Sequence, residues 1–386
     1  MNCPGYGLMQ LVRWELEGTF AEGFDPKDLP PEALMELYPT ALGHDLGHLA
    51  GDAIQRLGLL PPCRLADSFH TLVLRAHYRY ERHAAALEEL GRCLDSARIA
   101  YLPLKGCVLQ ALYPEPWMRT SSDLDLLLHR TDLEPAAALL EGLGYERHHM
   151  DAHEVEFRAP DGVSVELHFE LIEAGRVAAA QPVLARVWDR AQPETPGGCR
   201  YRMDAALFCV YHLAHMAKHL TTGGCGLRTF ADLWLLERGG QLGTPEVSRQ
   251  LERAGLTAFA RAVCALNRAW FQGETPDAAA LRLMQYVLDG GAQGAKRAAQ
   301  AAAQLRSGGS GAYLRARLFP SGETLQYQYP VLSKRPWLLP LCQAHRWGAL
   351  LFGQKRGQAA AAFRTMRHVS EENIAELRLL WEQLGL

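Results

Sequence analysis

The chain has 386 residues, of which 48% are apolar and 22% charged, values typical of globular proteins that exclude a disordered, collagen-like or coiled-coil chain. This length predicts two or three domains and a sizeable core. Forty basic and 43 acidic residues give a formal charge of -3, which disfavours a strongly basic nucleic-acid clamp but allows a local basic patch.

The nine cysteines are scattered singly, odd in number and never spaced as Cys-x-x-Cys. This pattern disfavours a zinc ribbon or a disulfide framework and indicates reduced thiols, so we expect a cytoplasmic protein. The N-terminus lacks a basic segment followed by an apolar run, and no uninterrupted apolar stretch has the length of a membrane span. We therefore expect neither a signal peptide nor a membrane partner.

The first part of the chain, residues 1–64, mixes short amphipathic segments with prolines and predicts a helical N-terminal extension. A long helix is predicted next, because apolar residues recur every three or four positions from about 66 to 97. The following residues predict a compact mixed α/β unit. Its expected elements are strands at 101–104, 123–128, 154–159 and 163–169, helices starting near Gly106 and covering 133–143, and a tight turn at Asp161-Gly162.

Strand signals fade beyond about residue 175, and the rest of the chain predicts successive helices. These cover about 204–219, 228–238, 245–255, 257–271, 277–289 and 370–384. The glycine- and serine-rich residues 306–311 predict a flexible stretch. The sequence thus predicts an α+β protein, with a small mixed sheet and flanking helices over 65–175 and an all-helical C-terminal domain over 176–386.

Two carboxylates mark the predicted strand at 123–128. Asp123 and Asp125 are two residues apart, so they project from one face of the strand while leucines project from the other. In the later strand, alternation places Glu166 and His168 on one face. If the two strands are neighbours, three carboxylates converge and offer the hard oxygen ligands that one or two Mg²⁺ ions prefer.

A metal-bound carboxylate triad suits phosphoryl or nucleotidyl transfer, because one ion can activate an attacking hydroxyl while another neutralises the triphosphate. The alternative is that Asp123 and Asp125 only keep an exposed strand face soluble. The downstream Glu166, which lies in an otherwise apolar strand, favours the functional interpretation.

Several short motifs occur in a fixed order around these acids. They are Leu104-Lys105-Gly106, Tyr113-Pro114, Arg119 to Asp125, Gly144-Tyr145 and Val165 to His168, followed downstream by His212 to His219, Leu227 to Leu233 and Phe319-Pro320-Ser321. This order resembles the bacterial family of uncharacterised nucleotidyltransferases in the polymerase-β superfamily. The resemblance covers about residues 65–350 and implies a polymerase-β-like nucleotidyltransferase domain.

The resemblance also implies roles for the acidic residues. Asp123 and Asp125 would ligate Mg²⁺ or Mn²⁺, and Glu166 would be the third ligand and orient or deprotonate the acceptor hydroxyl. The wider superfamily usually has Gly-Ser at the start of the preceding helix to hold the triphosphate, whereas this chain has Lys105-Gly106-Cys107. Lys105 could supply charge in place of the hydroxyl, and Gly106 permits close approach of an anion.

Other polar residues are candidates for contacts with the nucleotide. Arg119, Ser121 and Ser122 directly precede the acidic strand and could reach phosphate oxygens. The alternative for Arg119 is a surface position beside a turn. His168 shares the predicted face of Glu166, so it could bind substrate or serve as a hydrogen-bonded structural histidine.

The helix over 204–219 carries His212, His215 and His219 on one predicted face. They could ligate zinc, although no further ligand spacing completes a familiar site. The resemblance suggests instead a polar lining of the cleft, with Lys218 available to a phosphate and with Arg228 and Asp232 as an ion pair four residues apart. Plain structural packing is the remaining alternative.

From these observations we predict a magnesium-dependent nucleotidyltransferase that moves an NMP group from an NTP to a hydroxyl or phosphate acceptor and releases pyrophosphate. The acceptor could be a small molecule, a peptide or protein, or RNA, and the near-neutral charge disfavours RNA. One alternative is a catalytically inactive nucleotide-binding or regulatory protein with the same fold. Another is a structural protein whose acids are solvated.

Overall fold

The computed structural model describes residues 4–173, 175, 177–290, 296–326, 328–329, 331–352 and 371–386. The other residues of the predicted domains, including Ser370 at the expected start of the last helix, lie outside this description. The described chain is mostly helical, with a small mixed sheet between residues 101 and 168. This is the predicted α+β architecture.

The N-terminal residues form four helices: α1 (Pro4–Glu17), α2 (Pro31–Gly43), α3 (Gly47–Leu57) and α4 (Arg64–Ser96). The predicted helical character of this region and the long helix α4 are therefore confirmed. Helices α3 and α4 pack closely because Gly51 has no side chain: a Cβ there would lie 2.9 Å from the carbonyl oxygen of Phe69. Apolar residues of α1 and α3 belong to the same buried cluster as residues of the later helices.

The sheet has five strands in the spatial order β1-β2-β5-β4-β3. Strands β2 and β5 pair in parallel, and the other neighbours in this sheet are antiparallel. Four strands match the predicted ones, and two helices, α5 and α6, connect them. The bounds are β1 (Tyr101–Pro103), α5 (Lys105–Leu109), β2 (Asp123–Leu128), α6 (Leu133–Gly142), β3 (Glu146–Met150), β4 (Glu154–Arg158) and β5 (Ser164–His168).

Strand β3 was not predicted from the sequence. All five of its residues are exposed, and it lies at the edge of the sheet, so it lacks the alternation of apolar and polar residues that marks a half-buried strand. The predicted Asp161-Gly162 turn does join β4 to β5, and Gly162 has a φ of 92°, in the left-handed region that favours glycine.

The two faces of the sheet differ in chemistry. Leucines of β2 pack with Val165, Phe157 and residues of α4 and α6 in one buried cluster, so this face is apolar. The opposite face carries the predicted acidic residues. The alternation within β2 and β5 thus separates the apolar packing against α4 and α6 from the candidate site on the other face.

The remainder of the described chain is helical apart from a two-stranded hairpin. The elements are α7 (Gln181–Leu184), α8 (Val187–Arg190), β6 (Gln192–Pro193), β7 (Tyr201–Arg202), α9 (Ala205–Thr222), α10 (Leu227–Arg238), α11 (Pro245–Arg253), α12 (Thr257–Gln272), α13 (Ala278–Gly290), α14 (Lys296–Arg306), α15 (Ser310–Leu318), α16 (Gly322–Leu325), α17 (Val331–Lys334), α18 (Leu339–Phe352) and α19 (Glu371–Leu384). The predicted helices of this region are confirmed with small shifts at their ends.

The glycine-rich residues 306–311 join two helices. Residues 307–309 form a turn, whereas Arg306 ends α14 and Ser310 begins α15. Gly308 and Gly309 have φ angles of 81° and 119°, so their freedom is used to reverse the chain between two helices. The segment is a short connection between two helices; its predicted flexibility stays a prediction.

Two general expectations concern thiols and membranes. The eight described cysteines are all free thiols, in agreement with the prediction. Among the described helices, none combines the length and the apolar character needed to cross a membrane.

Candidate active site

The site begins with the register of the two parallel strands. Asp125 of β2 lies directly opposite Glu166 of β5, and Asp123 lies opposite Ser164. The strands are therefore neighbours, as the sequence argument required. On the other side of β5, Glu154 of β4 lies opposite His168, which extends the polar face by one strand.

Asp125 is the most enclosed acid of the group, with an exposed fraction of 2%. Its Oδ1 atom lies 2.9 Å from Lys105 Nζ and 2.9 Å from His168 Nε2. Burial alone would raise the pKa of Asp125, but the positive charge of Lys105 and the hydrogen bond from His168 lower it well below its usual range. Asp125 is thus held as a carboxylate.

Asp123 is half-buried at the start of β2. Ser121 Oγ donates a hydrogen bond to Asp123 Oδ1 at 3.2 Å, and Ser122 Oγ donates to Oδ2 at 3.0 Å. Burial and the nearby charge of Asp125 raise the pKa of Asp123. The two serines therefore orient the Asp123 carboxylate. The phosphate contact predicted for them stays a prediction.

Glu166 lies close to two other carboxylates, whose negative charges disfavour its own ionised form. Burial and the negative charges of Asp125 and Asp123 raise its pKa to about 7, although a hydrogen bond with His168 acts in the opposite direction. A carboxyl group with such a pKa can accept or release a proton near neutral pH.

One possible metal-ligand group is formed by Asp125, Glu166 and His168, whose ligand atoms lie within 4.8 Å of one another. Asp123 does not belong to this group, so its geometry differs from the predicted triad, in which Asp123 took the place of His168. The negative charge of Asp123 nevertheless contributes to the raised pKa of Glu166. Three crowded carboxylates, two with raised pKa values, are a donor set that a divalent cation would stabilise.

Lys105 and Gly106 form the turn that brings α5 next to the acids. Lys105 has a φ of 37°, an unusual backbone conformation for a residue with a side chain, and this places it at the start of α5. A Cβ on Gly106 would lie 3.0 Å from Ser121 Oγ, so glycine permits α5 to approach the loop before β2. The predicted importance of Gly106 thus has a packing reason.

Arg119 is buried and paired with an acid inside the protein. Its side chain is 5% exposed, and Nε donates to Asp232 Oδ1 at 2.7 Å. The hydroxyl of Tyr113 donates to the same oxygen at 2.8 Å. The alternative of a surface position is therefore wrong, since the guanidinium ties the loop before β2 to α10. A contact of Arg119 with phosphate stays a prediction.

The predicted ion pair between Arg228 and Asp232 is also wrong. Arg228 Nη1 donates to Asp45 Oδ2 at 3.2 Å and to the carbonyl oxygen of Thr120 at 3.1 Å. Asp232 is already paired with Arg119, so the helical spacing of four residues does not decide the partner. Arg228 remains close to the loop that carries Ser121 and Ser122.

Helix α9 faces the acidic side of the sheet. Lys218 Nζ lies 3.3 Å from His153 Nε2, and His215 Nε2 lies 3.1 Å from His219 Nε2. Burial lowers the pKa of His215, Lys218 and His219, and the charge of Lys105 lowers each of them further. These side chains therefore share a positively charged environment beside Lys105.

The three histidines of α9 do not converge on a shared zinc position. His212 Nε2 lies 3.2 Å from the carbonyl oxygen of Thr229, in buried surroundings, whereas His215 and His219 meet each other. Within the described residues the three do not form a metal-ligand group. His212 is a structural histidine that fixes α9 against α10.

The structure brings three further residues to the site that the sequence argument missed. His153 and Glu154 form a second possible metal-ligand group with His168, whose Nδ1 atom lies 3.2 Å from Glu154 Oε2. Tyr211 of α9 is buried, and its pKa is raised to a value outside the usual range by burial and by Asp125 and Glu166. The adjacent polar residues His153 and Glu154 at the start of β4 are a sequence signal for Glu154. No local pattern identifies Tyr211.

A comparison with protein families adds independent information. The sequence profile of a family described as uncharacterised nucleotidyltransferase matches residues 31–272. The chain belongs to this nucleotidyltransferase family. No curated protein matches it.

As a nucleotidyltransferase, the protein is a transferase of phosphorus-containing groups. The matched range includes all five strands of the sheet, α5 and α9. The acidic face and the basic side chains of α9 therefore lie together within the region that defines the family. Nucleotidyltransferases typically use divalent metals, and the groups around Asp125 and His168 could hold one.

Proposed function

We propose that this nucleotidyltransferase transfers an NMP group from an NTP to a hydroxyl or phosphate acceptor, depends on Mg²⁺ or Mn²⁺, and releases pyrophosphate. The observation that carries the proposal is the register of Asp125 opposite Glu166, with Asp123 on the same strand face. This arrangement also supports placing the fold in the polymerase-β superfamily. Small molecules, peptides or proteins, and RNA are the acceptor classes considered.

In this proposal Asp123, Asp125 and Glu166 hold the metal, and His168 orients Asp125 and Glu166 through its Nε2 atom. A bound Mg²⁺ ion would supply Lewis-acid stabilisation of the phosphate oxygens and of the leaving pyrophosphate. The two serines before β2 keep the Asp123 carboxylate in place.

Glu166 is the acid suited to orient an acceptor hydroxyl and to accept its proton. In the metal-free protein its pKa is raised to about 7, against 4.5 for an ordinary glutamate. A bound cation would lower this pKa, so the proton would go to a Glu166 oxygen that does not contact the cation. In parallel, the low pKa of Asp125 keeps that residue ionised as a ligand. Two carboxylates on adjacent strands thus have different proton affinities, which matches their different proposed roles.

The triphosphate has a candidate binding surface despite the absence of Gly-Ser in the α5 turn. Lys105 lies at the acidic site, and Lys218, His215 and His219 of α9 surround it on the helical side. We infer that these side chains, with Arg228 and the Gly106 turn, hold phosphate oxygens.

The free thiols of the described cysteines support the predicted cytoplasmic location.

The proposal is tested by incubating the protein with each radiolabelled NTP, Mg²⁺ and a cell extract, and identifying the labelled product. Pyrophosphate release measured in parallel should depend on Mg²⁺ and on the acceptor. One observation favours an inactive regulatory protein instead: Lys105 and His168 already satisfy Asp125 Oδ1. Magnesium-dependent NTP binding without pyrophosphate release across all acceptors would support that alternative.

A further inference from the structure

The overall charge of -3 hides a strong asymmetry along the chain. Twelve of the 40 lysines and arginines, but one of the 43 acidic residues, lie between residues 290 and 370. This segment therefore has a formal charge of +11, whereas the remainder has -14. The overall balance argued against a polyanion partner, but this local excess is the electrostatic pattern of a surface that binds one.

The described part of the basic segment contains an open groove of about 1010 Å³. Its lining includes Arg306, Arg315 and Arg317, and the aromatic side chains Tyr313 and Phe319. Phe319 is 56% exposed, so part of its ring is accessible from the solvent. Arginines together with accessible aromatic rings provide contacts for phosphates and for unstacked bases.

The groove adjoins the helix that faces the acidic site. Arg306 Nη1 donates a hydrogen bond at 2.8 Å to the carbonyl oxygen of Thr221, near the C-terminal end of α9. Thr221 is three residues beyond Lys218, which lies beside His153. Helix α14 also packs against α9. A polymer held in the groove is thus next to the end of α9 that carries the proposed phosphate-binding side chains.

We propose that this groove binds single-stranded nucleic acid and presents it as the acceptor, a role that rests on the proposed nucleotidyl transfer. The concave shape, the arginines and the exposed aromatic ring favour a flexible strand with accessible bases. A rigid duplex cannot stack its bases on Phe319. An anionic membrane would be contacted best by a projecting amphipathic surface rather than by a groove.

The binding step is tested without catalysis, in EDTA and without nucleotide. Fluorescence anisotropy is measured with a labelled single-stranded RNA of about 15 nucleotides over a range of salt concentrations. The double variant Arg315→Gln/Arg317→Gln should bind more weakly, and the slope of log K against log salt should fall by about 0.7 for each lost phosphate contact. The control variant Arg92→Gln/Arg261→Gln removes the same charge from exposed positions on α4 and α12 and should bind like the wild type.

The aromatic contact makes a separate prediction. Phe319→Leu should weaken RNA binding at least about fivefold, because stacking contributes about 1–3 kcal/mol per base, while the salt slope stays unchanged. Equal loss of binding in the control double variant would overturn the proposal. So would equally tight binding of the same RNA as a duplex, or binding to phosphatidylserine-containing vesicles without binding to RNA.

The acceptor role is tested with labelled NTP and the same RNA. Labelling by the wild type and by the control variant, with loss of labelling in Arg315→Gln/Arg317→Gln, supports it. If RNA binds but a different molecule from the extract becomes labelled, the acceptor role is refuted while the proposed transfer stands. If no pyrophosphate is released with any acceptor, the proposed function fails, and the EDTA binding result separately decides whether the groove binds RNA.

Discussion

Lys105 Nζ lies 2.9 Å from Asp125 Oδ1, so the first residue of α5 neutralises the most buried acid of the site. The same oxygen lies 2.9 Å from His168 Nε2. This geometry gives Lys105, in the Lys105-Gly106-Cys107 turn, a defined electrostatic role: its ammonium group holds Asp125 as a carboxylate. Its contribution can be measured.

Lys105→Met should destabilise the protein by about 3 kcal/mol in EDTA, because it leaves a buried carboxylate with one partner fewer. Mg²⁺ should recover part of this loss by supplying positive charge to the acids. Urea denaturation with and without Mg²⁺ measures both effects. Lys218→Met is the matched control, since Lys218 Nζ contacts His153 rather than an acid and its pKa is already lowered by burial. Equal destabilisation by the two variants would contradict the assignment.

Asp123→Asn should separate activity from stability. The pKa of Asp123 is raised by burial and by Asp125, so an uncharged side chain relieves repulsion and should leave the free energy of unfolding unchanged or slightly higher. Nucleotidyl transfer should fall by at least about 100-fold, because a charged ligand is lost. Thermal denaturation and pyrophosphate release provide the two readouts.

Glu156→Gln is the matched control for Asp123→Asn, because it also removes one negative charge from the sheet. Glu156 lies opposite Glu166 in the β4–β5 pair, but its side chain pairs with Arg158 and takes no part in the proposed metal site. Transfer by Glu156→Gln should remain close to that of the wild type. Normal turnover by Asp123→Asn would show that the metal assignment of Asp123 is wrong.

The buried pair of Arg119 and Asp232 makes a prediction about stability alone. Arg119→Met leaves Asp232 charged and buried with Tyr113 as a donor, and should cost about 3–5 kcal/mol in the free energy of unfolding. Arg119→Lys should recover little of this, since lysine lacks the planar donor geometry. The exposed pair of Arg186 and Asp189 offers a control: Arg186→Met should cost less than about 1 kcal/mol. Urea denaturation of all three variants distinguishes these cases.

Alternation within strands was sufficient to predict the centre of the site. Asp123 and Asp125 share a face because they are two residues apart, and the apolar residues between them and around Glu166 fixed both strands in the core. The Asp161-Gly162 turn fixed the connection of β5. These are local signals whose physical cause acts within a few residues, so a single sequence contains them.

Side-chain partners between distant elements were harder to predict. The spacing of Arg228 and Asp232 suggested a helical pair, but Arg119, which is 113 residues away, takes Asp232 in the folded chain. Tyr211 reaches the site only because α9 packs over the sheet, whereas His153 is placed there by its position directly before β4. Strand β3 had no signal since its residues are exposed at an edge. Tertiary packing decides such contacts, and helical or strand periodicity does not encode it.

Glu15 gives a pH dependence that is independent of the candidate site. Its side chain is 0% exposed, Oε1 is buried without a hydrogen-bond partner in the described chain, and Arg56 lies 3.2 Å from Oε2. Burial, and secondarily the charge of Asp52, raise the pKa of Glu15 from 4.5 to about 8. Between these values the folded protein therefore binds a proton that the unfolded chain has released.

Stability from this group is present in full below the unfolded pKa and is lost as pH rises through the folded pKa. Relative to Glu15→Gln, which is neutral throughout, the wild type should lose stability between pH 5 and 8, at up to about 1.4 kcal/mol per pH unit. Urea denaturation at several pH values measures the difference, and Glu22→Gln on an exposed loop controls for the change in net charge. A difference between wild type and Glu15→Gln that stays constant with pH would show that Glu15 is ionised in the folded protein, with Arg56 compensating its burial.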